Sequence, residues 1–379
     1  MKPGIYIHIP FCVQKCSYCD FYSIVDLSVL DQFVTALSCE MKLAQRAHGA
    51  MFSGADTVYF GGGTPSVLGA ERIARLLRAA REVFAVSEDS EITVEINPGT
   101  ISGTFLSDIK EAGVNRISIG VQSFDDEDLI FLGRIHSAEE ARATVNEVKA
   151  LYDNYSIDLI HSIPGQRIGP YRDSLDEAVR FGAPHISAYA LTIEHNTPLF
   201  ELCDKGKVPT VSEDDAVMFL EATMDSLGKS GYVHYEISNF ARRETYISRH
   251  NSKYWELVPY IGLGPSGHSF DGTNRWSNLA NVKEYCAKLA EKLLPLGGEE
   301  LLNRDELFVE QLMLGLRRLD KGLDLNYLRS HYAEEWDDVR ENRMKDFIRQ
   351  GYMARKGDRI MLTSRGSLVY NMIVRELTA

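Results

Sequence analysis

Three cysteines, Cys12, Cys16 and Cys19, fall within one eight-residue stretch of the run His8-Ile9-Pro10-Phe11-Cys12-Val13-Gln14-Lys15-Cys16-Ser17-Tyr18-Cys19. Thiolates at this C-x3-C-x2-C spacing can each ligate one iron of a [4Fe–4S] cube, a group that four thiolates usually hold. With three, one iron keeps an open position that can chelate a small molecule. Structural zinc is the alternative. It needs a fourth ligand to close its tetrahedron, and the nearby His8 lies in a segment patterned as a strand. Buried structural thiols are a third reading. Cys39, Cys203 and Cys286 share no such spacing and read as small core residues.

The elements that must position this loop alternate. Short β-rich runs at 4–9, 55–60, 91–96, 115–121, 156–163 and 185–191 are separated by segments of helical period, the first marked by Leu30, Phe33, Val34, Leu37 and Met41. Repeated strand–helix units imply parallel strands with right-handed crossovers, either a barrel or an open doubly wound sheet. Polar and glycine residues end nearly every strand: Cys12, Gly61–Thr64, Glu95 and Asn97, Gln122, and Pro164–Gln166. Active sites of parallel α/β proteins gather at that edge.

The alternation weakens near residue 211. A helical stretch over 211–227 leads to the segment 233–240 and then to a glycine-rich run over 260–269. Asn303 with Glu306 predicts a capping box opening a helix through Leu319. Gly357-Asp358 between two β-rich runs predicts a hairpin, and Leu368, Val369, Met372 and Ile373 mark a last helix. The expected organisation is an α/β region over 1–210, a connecting region over 211–299, and a helical, winged-helix-like domain over 300–379.

The 379 residues carry 41 Lys plus Arg against 54 Asp plus Glu, a net charge of −13. Nucleic-acid binding rests on phosphate neutralisation, so this balance argues against it. No window approaches the ~18 apolar residues of a membrane span, which leaves peripheral membrane contact at most. The first residues alternate like a strand and do not resemble a signal peptide. Few cysteines, half of them clustered, fit a reducing, cytoplasmic setting better than a disulfide framework.

A C-x3-C-x2-C loop after the first strand of a βα array resembles the radical S-adenosylmethionine superfamily. The similarity to its coproporphyrinogen oxidase-like subgroup continues through Tyr59-Phe60-Gly61-Gly62-Gly63-Thr64-Pro65-Ser66, Val94-Glu95-Ile96-Asn97-Pro98-Gly99, Asn115-Arg116-Ile117-Ser118-Ile119-Gly120-Val121-Gln122-Ser123-Phe124, Leu132-Gly133-Arg134 and Asp158-Leu159-Ile160. The resemblance implies a partial (β/α) barrel of the TIM type. It also implies a [4Fe–4S] cluster on Cys12, Cys16 and Cys19, and S-adenosylmethionine bound through Tyr6, Tyr18, Gly62, Gly63, Thr64, Glu95, Gln122, Arg134, Asp158 and Ala190. The physics agrees in kind: a glycine run lets backbone N–H groups approach a ligand, and Arg134 can pair with a carboxylate.

Within the subgroup two activities compete, an oxygen-independent coproporphyrinogen III dehydrogenase and a haem chaperone. Dehydrogenases carry a fourth cysteine two residues after the third and a long segment before the loop. Here Asp20-Phe21 follows Cys19, and eleven residues precede Cys12. His250-Asn251-Ser252-Lys253-Tyr254-Trp255 is similar to the chaperones' H-N-x-x-Y-W haem motif. A histidine there can supply an axial nitrogen to haem iron, with Asn251 beside it, while Tyr254 and Trp255 offer flat apolar surface. A lone histidine among aromatics is otherwise more often a satisfied core residue. The resemblance therefore implies a carrier rather than a catalyst, monomeric or homodimeric, binding haem and passing it to acceptor proteins. A radical enzyme acting on a tetrapyrrole, or on another substrate, is the alternative. Two departures, His161-Ser162 and Pro265-Ser266, fall where the pocket could be altered.

Overall fold

The computed structural model describes residues 2–101 and 103–379. Strand propensity and alternation place β1 at Gly4–Ile9, β2 at Thr57–Gly62, β3 at Glu91–Ile96, β4 at Arg116–Gln122, β5 at Tyr155–His161 and β6 at His185–Ala190. These six pair side by side in chain order, every pairing parallel. Sequential order without a reversal is the arrangement of a barrel segment rather than a doubly wound sheet. The fold is a mixed α/β partial barrel with a separate C-terminal helical unit.

The period of two sorts the strands' side chains. Ile5, Ile7 and Ile9 of β1, Ile92, Val94 and Ile96 of β3, and Ile117, Ile119 and Val121 of β4 are all almost wholly buried. They pack with the flanking helices, where Phe33, Val34, Leu37 and Met41 of the helix Leu30–Phe52 join the same core. The alternate residues, Tyr6, Glu95, Arg116, Ser118, Asp158 and Ser187, are polar and share the opposite face.

Residues between 211 and 299 extend both edges of this sheet. The hairpin β7 (Val233–Glu236) and β8 (Asn239–Ala241) joins antiparallel to β6. On the other edge, β9 (Tyr260–Leu263) lies parallel to β1 and is followed by β10 (His268–Phe270), β11 (Asn274–Asn278) and β12 (Leu296–Leu301). The helix Arg249–Trp255 crosses beneath the strand starts. There Arg249 and His250 donate backbone N–H bonds to Glu91, the first residue of β3, and Lys253 pairs with Asp56 at 2.6 Å.

The C-terminal unit has its own core, with Phe308, Leu312, Leu316, Leu328, Phe347, Ile360 and Ile373 in contact. Asn303 and Glu306 make both bonds of the capping box that opens the helix Arg304–Arg317. A short strand β13 (Leu323–Asp324) pairs with the second strand of the hairpin β14 (Met353–Lys356) and β15 (Arg359–Leu362), giving a winged-helix-like order. The unit docks through buried charges. Glu236, fully buried, accepts from Arg317 at 3.0 Å, and Arg318, 2% exposed, pairs with Asp320 at 2.9 Å and with Glu256.

Removing one partner of a buried pair leaves the other desolvated and uncompensated, at a cost of about 3–5 kcal/mol. Arg318→Ala is therefore expected to lower stability in urea unfolding by about 3 kcal/mol. Lys229→Ala, which breaks an exposed pair with Asp225, should cost under about 1 kcal/mol. Equal losses would contradict the docking role.

Candidate functional site

The cysteine loop has little regular structure of its own and is shaped by backbone bonds to its neighbours. Cys12 N–H donates to Ile24 C=O, and Ile24 N–H to Pro10 C=O. From the turn just after β2, Gly63 N–H donates to Ile9 C=O at 2.8 Å and Thr64 N–H to Phe11 C=O at 2.7 Å. A Cβ on Gly63 would lie 2.7 Å from the Phe11 carbonyl oxygen and 2.9 Å from that of Ile9, so the glycine is required by the approach of two backbones. The Gly63 N–H is thus spent on the cysteine loop, not offered to a ligand.

Side chains then join the loop to three strand ends. Thr64 Oγ1 sits 3.5 Å from Cys12 Sγ and accepts from Asn97 Nδ2 at 3.0 Å. Arg134 Nη2 donates to Asn97 Oδ1 at 2.7 Å and to Gly120 C=O at 3.0 Å, while its Nη1 points at Cys16 Sγ, 3.5 Å away. Burial raises the Cys19 thiol, and the neighbouring Cys16 and Cys12 push it further. Beside the three thiols, the buried Arg134 Nε has no partner. The donor set therefore fits an iron–sulfur cube. Among the described residues no three His, Cys, Asp or Glu side chains converge on one metal ion. The zinc alternative also loses its fourth ligand: His8 Nδ1 meets Tyr6 Oη at 3.2 Å and Nε2 meets Tyr22 C=O at 2.9 Å.

A cavity of about 640 Å³ opens beside this loop, a size within the range of small-molecule sites. Of the residues expected to contact S-adenosylmethionine, Tyr18, Gly62, Gly63, Thr64, Glu95, Gln122, Arg134, Asp158 and Ala190 line it. Tyr6 does not line it; its ring lies beside those of Tyr59 and His250, which stack on each other. Glu95 accepts from Tyr59 Oη at 2.7 Å, and burial, helped by the charge of Asp158, raises its carboxyl to about 7. Asp158 accepts from Ser118 and Ser156 at 2.7 and 2.8 Å. Gln122 has φ of +67°, next to an irregularity in the β4–β5 register. A non-glycine residue costs about 1–3 kcal/mol in such a conformation, which is typically retained where it aims a functional side chain.

The H-N-x-x-Y-W segment lies at the other end of the barrel, under the strand starts. His250 is 1% exposed. Its Nδ1 meets Thr57 Oγ1 at 2.8 Å and its Nε2 meets Tyr254 Oη at 2.9 Å. Burial lowers it to about 3, which keeps the ring neutral. Both nitrogens of His250 thus serve the barrel floor in this arrangement. Tyr254 packs at right angles to Tyr260, and Trp255 lies under the Arg317 guanidinium at 4.3 Å. Asn251 alone of the four reaches the cavity. The two departures also lie elsewhere. His161 stacks on Phe219 and bonds to Ser162, and Ser266 N–H bonds to Leu279 C=O.

Tyr59, Asn97, Arg116, Ser118, Ser187 and Tyr189 line the cavity as well, unassigned by the sequence reading. Their signal was the period-two polar stripe on the inner face of every strand.

Residues 6–178 match the radical SAM superfamily and residues 302–369 match the HemN C-terminal domain. The heme chaperone HemW of Mycobacterium tuberculosis is 36% identical over 379 residues, covering 99% of this chain and 94% of its own. HemW of Bacillus subtilis is 32% identical, covering 97% of each chain. The solved structure of coproporphyrinogen III oxidase (HemN) from Escherichia coli, a radical SAM enzyme, matches in fold with a TM-score of 0.82 at 24% identity, over 100% of this chain and 90% of that one.

A methyl group at Gly63 would force the β2 turn off the cysteine loop. Gly63→Ala should bind well below the about four irons per chain of one cube after anaerobic reconstitution, as read by iron analysis. Gly228→Ala, on a helix with nothing near its Cβ, should load normally. Full loading of Gly63→Ala would contradict the backbone joint.

Proposed function

Since the chain belongs to the HemW family of the radical SAM superfamily, we propose that it is a haem chaperone of the cytoplasm, holding one [4Fe–4S] cluster and S-adenosylmethionine and passing haem to acceptor proteins. The observation that carries this reading is full-length similarity to curated haem chaperones, at 32–36% identity in the two relatives above. The cysteine loop supports it, since Cys19 is followed by Asp20 and Phe21 and no fourth cysteine closes the set. Among the described residues no helix is long and apolar enough to cross a membrane.

In this reading Cys12, Cys16 and Cys19 hold the cluster. When bound and reduced, a cluster of this kind chelates S-adenosylmethionine and can cleave its sulfonium to an organic radical. The chain's own residues do the rest. Arg134 holds the methionine carboxylate while tethering Cys16. Gln122, Glu95 and Asp158 present acceptors to ribose hydroxyls and the ammonium group, and Tyr18 and Ala190 wall the adenosyl portion. Tyr59 keeps Glu95 oriented. An oxygen-independent coproporphyrinogen dehydrogenase is the second reading, favoured by the fold shared with HemN.

Anaerobic reconstitution followed by haem titration, with a parallel coproporphyrinogen decarboxylation assay, separates the two. Stoichiometric haem binding without decarboxylation is expected, and turnover to protoporphyrinogen would overturn the chaperone. Cys16→Ser should lose the visible absorbance of the cluster, and an unchanged spectrum would refute the ligand set.

A further outcome concerns pH. Ligand hydroxyls and ammonium favour the ionised form of Glu95, whose carboxyl sits at about 7 in the protein. S-adenosylmethionine affinity should therefore rise with pH across that value and level off above it. Glu95→Gln should bind about tenfold more weakly at pH 8, with a flat profile between pH 6 and 8. A wild-type profile that is already flat removes Glu95 from the contact set.

A further inference from the structure

Arg116 opens β4 on the inner face and is 1% exposed, yet it lines the cavity near its floor beside Ser118 and Asn251. Its Nε and Nη1 are buried without a hydrogen-bond partner. The charged and polar groups that face it are Glu91, Asp158, Tyr59 and Tyr235, and each is committed elsewhere. Glu91 Oε1 and Oε2 take the backbone N–H groups of His250 and Arg249. Asp158 takes the hydroxyls of Ser118 and Ser156. Tyr59 Oη donates to Glu95, and Tyr235 Oη meets His185 Nε2 at 2.9 Å. Glu91 and Asp158 balance its charge from a distance, but two buried donors left without partners are costly, and a planar fork of donors matches a carboxylate in two parallel bonds.

We propose that Arg116, with Asn251, forms a carboxylate-binding site on the cavity floor, and that its occupant is a propionate of the tetrapyrrole. The identity of the occupant rests on the haem reading above. The site itself rests on the two unpartnered donors. It lies at the start of β4, whereas Arg134, just after the helix Asp126–Leu132 that follows that strand, serves the cysteine side of the cavity. The H-N-x-x-Y-W segment then has a part that suits its place: His250 fixes the floor and Asn251 faces the ligand from it.

Haemin and haemin dimethyl ester, whose propionates are neutral, are titrated into the reconstituted full-length protein in the same detergent buffer. Wild type should bind the ester about 10- to 100-fold more weakly, the worth of a charge-assisted pair. Arg116→Met should bind haemin as weakly as wild type binds the ester, with the ester's affinity unmoved. Should Arg116→Met fail to fold, as judged by circular dichroism, the wild-type comparison decides alone. Equal affinities of wild type for acid and ester overturn the proposal. So does an Arg116→Met protein that loses S-adenosylmethionine while keeping haemin, since the site would then serve the methionine carboxylate. Absence of haemin binding to wild type is a different result: it removes the chaperone reading and the propionate with it.

Discussion

A closed run of polar contacts ties two cysteines to the sheet: Cys12 to Thr64, Thr64 to Asn97, Asn97 to Arg134, and Arg134 to Cys16. The cysteine loop has no helix or extended strand to stiffen it, so its geometry is borrowed from the ends of β2 and β3 and from Arg134, just beyond the helix Asp126–Leu132. The borrowing works only where side chains are absent. Gly63 lets two backbones meet, and a Cβ on Gly120 would fall 2.4 Å from Asn97 Oδ1, in the space through which Asn97 and Arg134 join. The cysteine spacing defines a ligand set, and the glycines and this ring turn it into a site.

The barrel behind the ring is built in two chemistries. Its outer face is isoleucine, valine and leucine packed on helices, the main source of burial energy. Its inner face carries Glu95, Asp158, Ser118, Ser187 and Arg116 around a cavity. Charged groups in so enclosed a space interact strongly, and desolvation moves Glu95 into the range where it titrates near neutrality. The helix Arg249–Trp255 closes the floor, and the C-terminal unit rests on that helix through Arg317 over Trp255 and Arg318 beside Glu256. The floor and the docked unit are therefore one mechanical assembly.

Much of this could be read from the chain. The strands at Gly4–Ile9 and Glu91–Ile96 fall where alternation predicts them, and the Asn303–Glu306 capping box forms as written. Local rules suffice there because the partners are near in sequence. The contacts of His250 are not legible there for the opposite reason. Its Nδ1 partner, Thr57, is 193 residues away, and no motif reveals that a ring nitrogen is already occupied. Nor is Arg116 legible, because an arginine at a strand start normally snorkels to water; here the helix Arg249–Trp255 covers it. The strands beyond residue 211 read as a connection because they are short, and they hold their place only by pairing with β1 and β6.

The central claim is that the three thiols present an iron with an open position to the same cavity that Glu95, Gln122 and Asp158 line. Electron paramagnetic resonance of the anaerobically reconstituted, reduced protein tests it most directly. The account predicts a [4Fe–4S]⁺ signal whose shape changes when S-adenosylmethionine is added. A signal unaltered by saturating S-adenosylmethionine, or a protein that binds no iron, would contradict it.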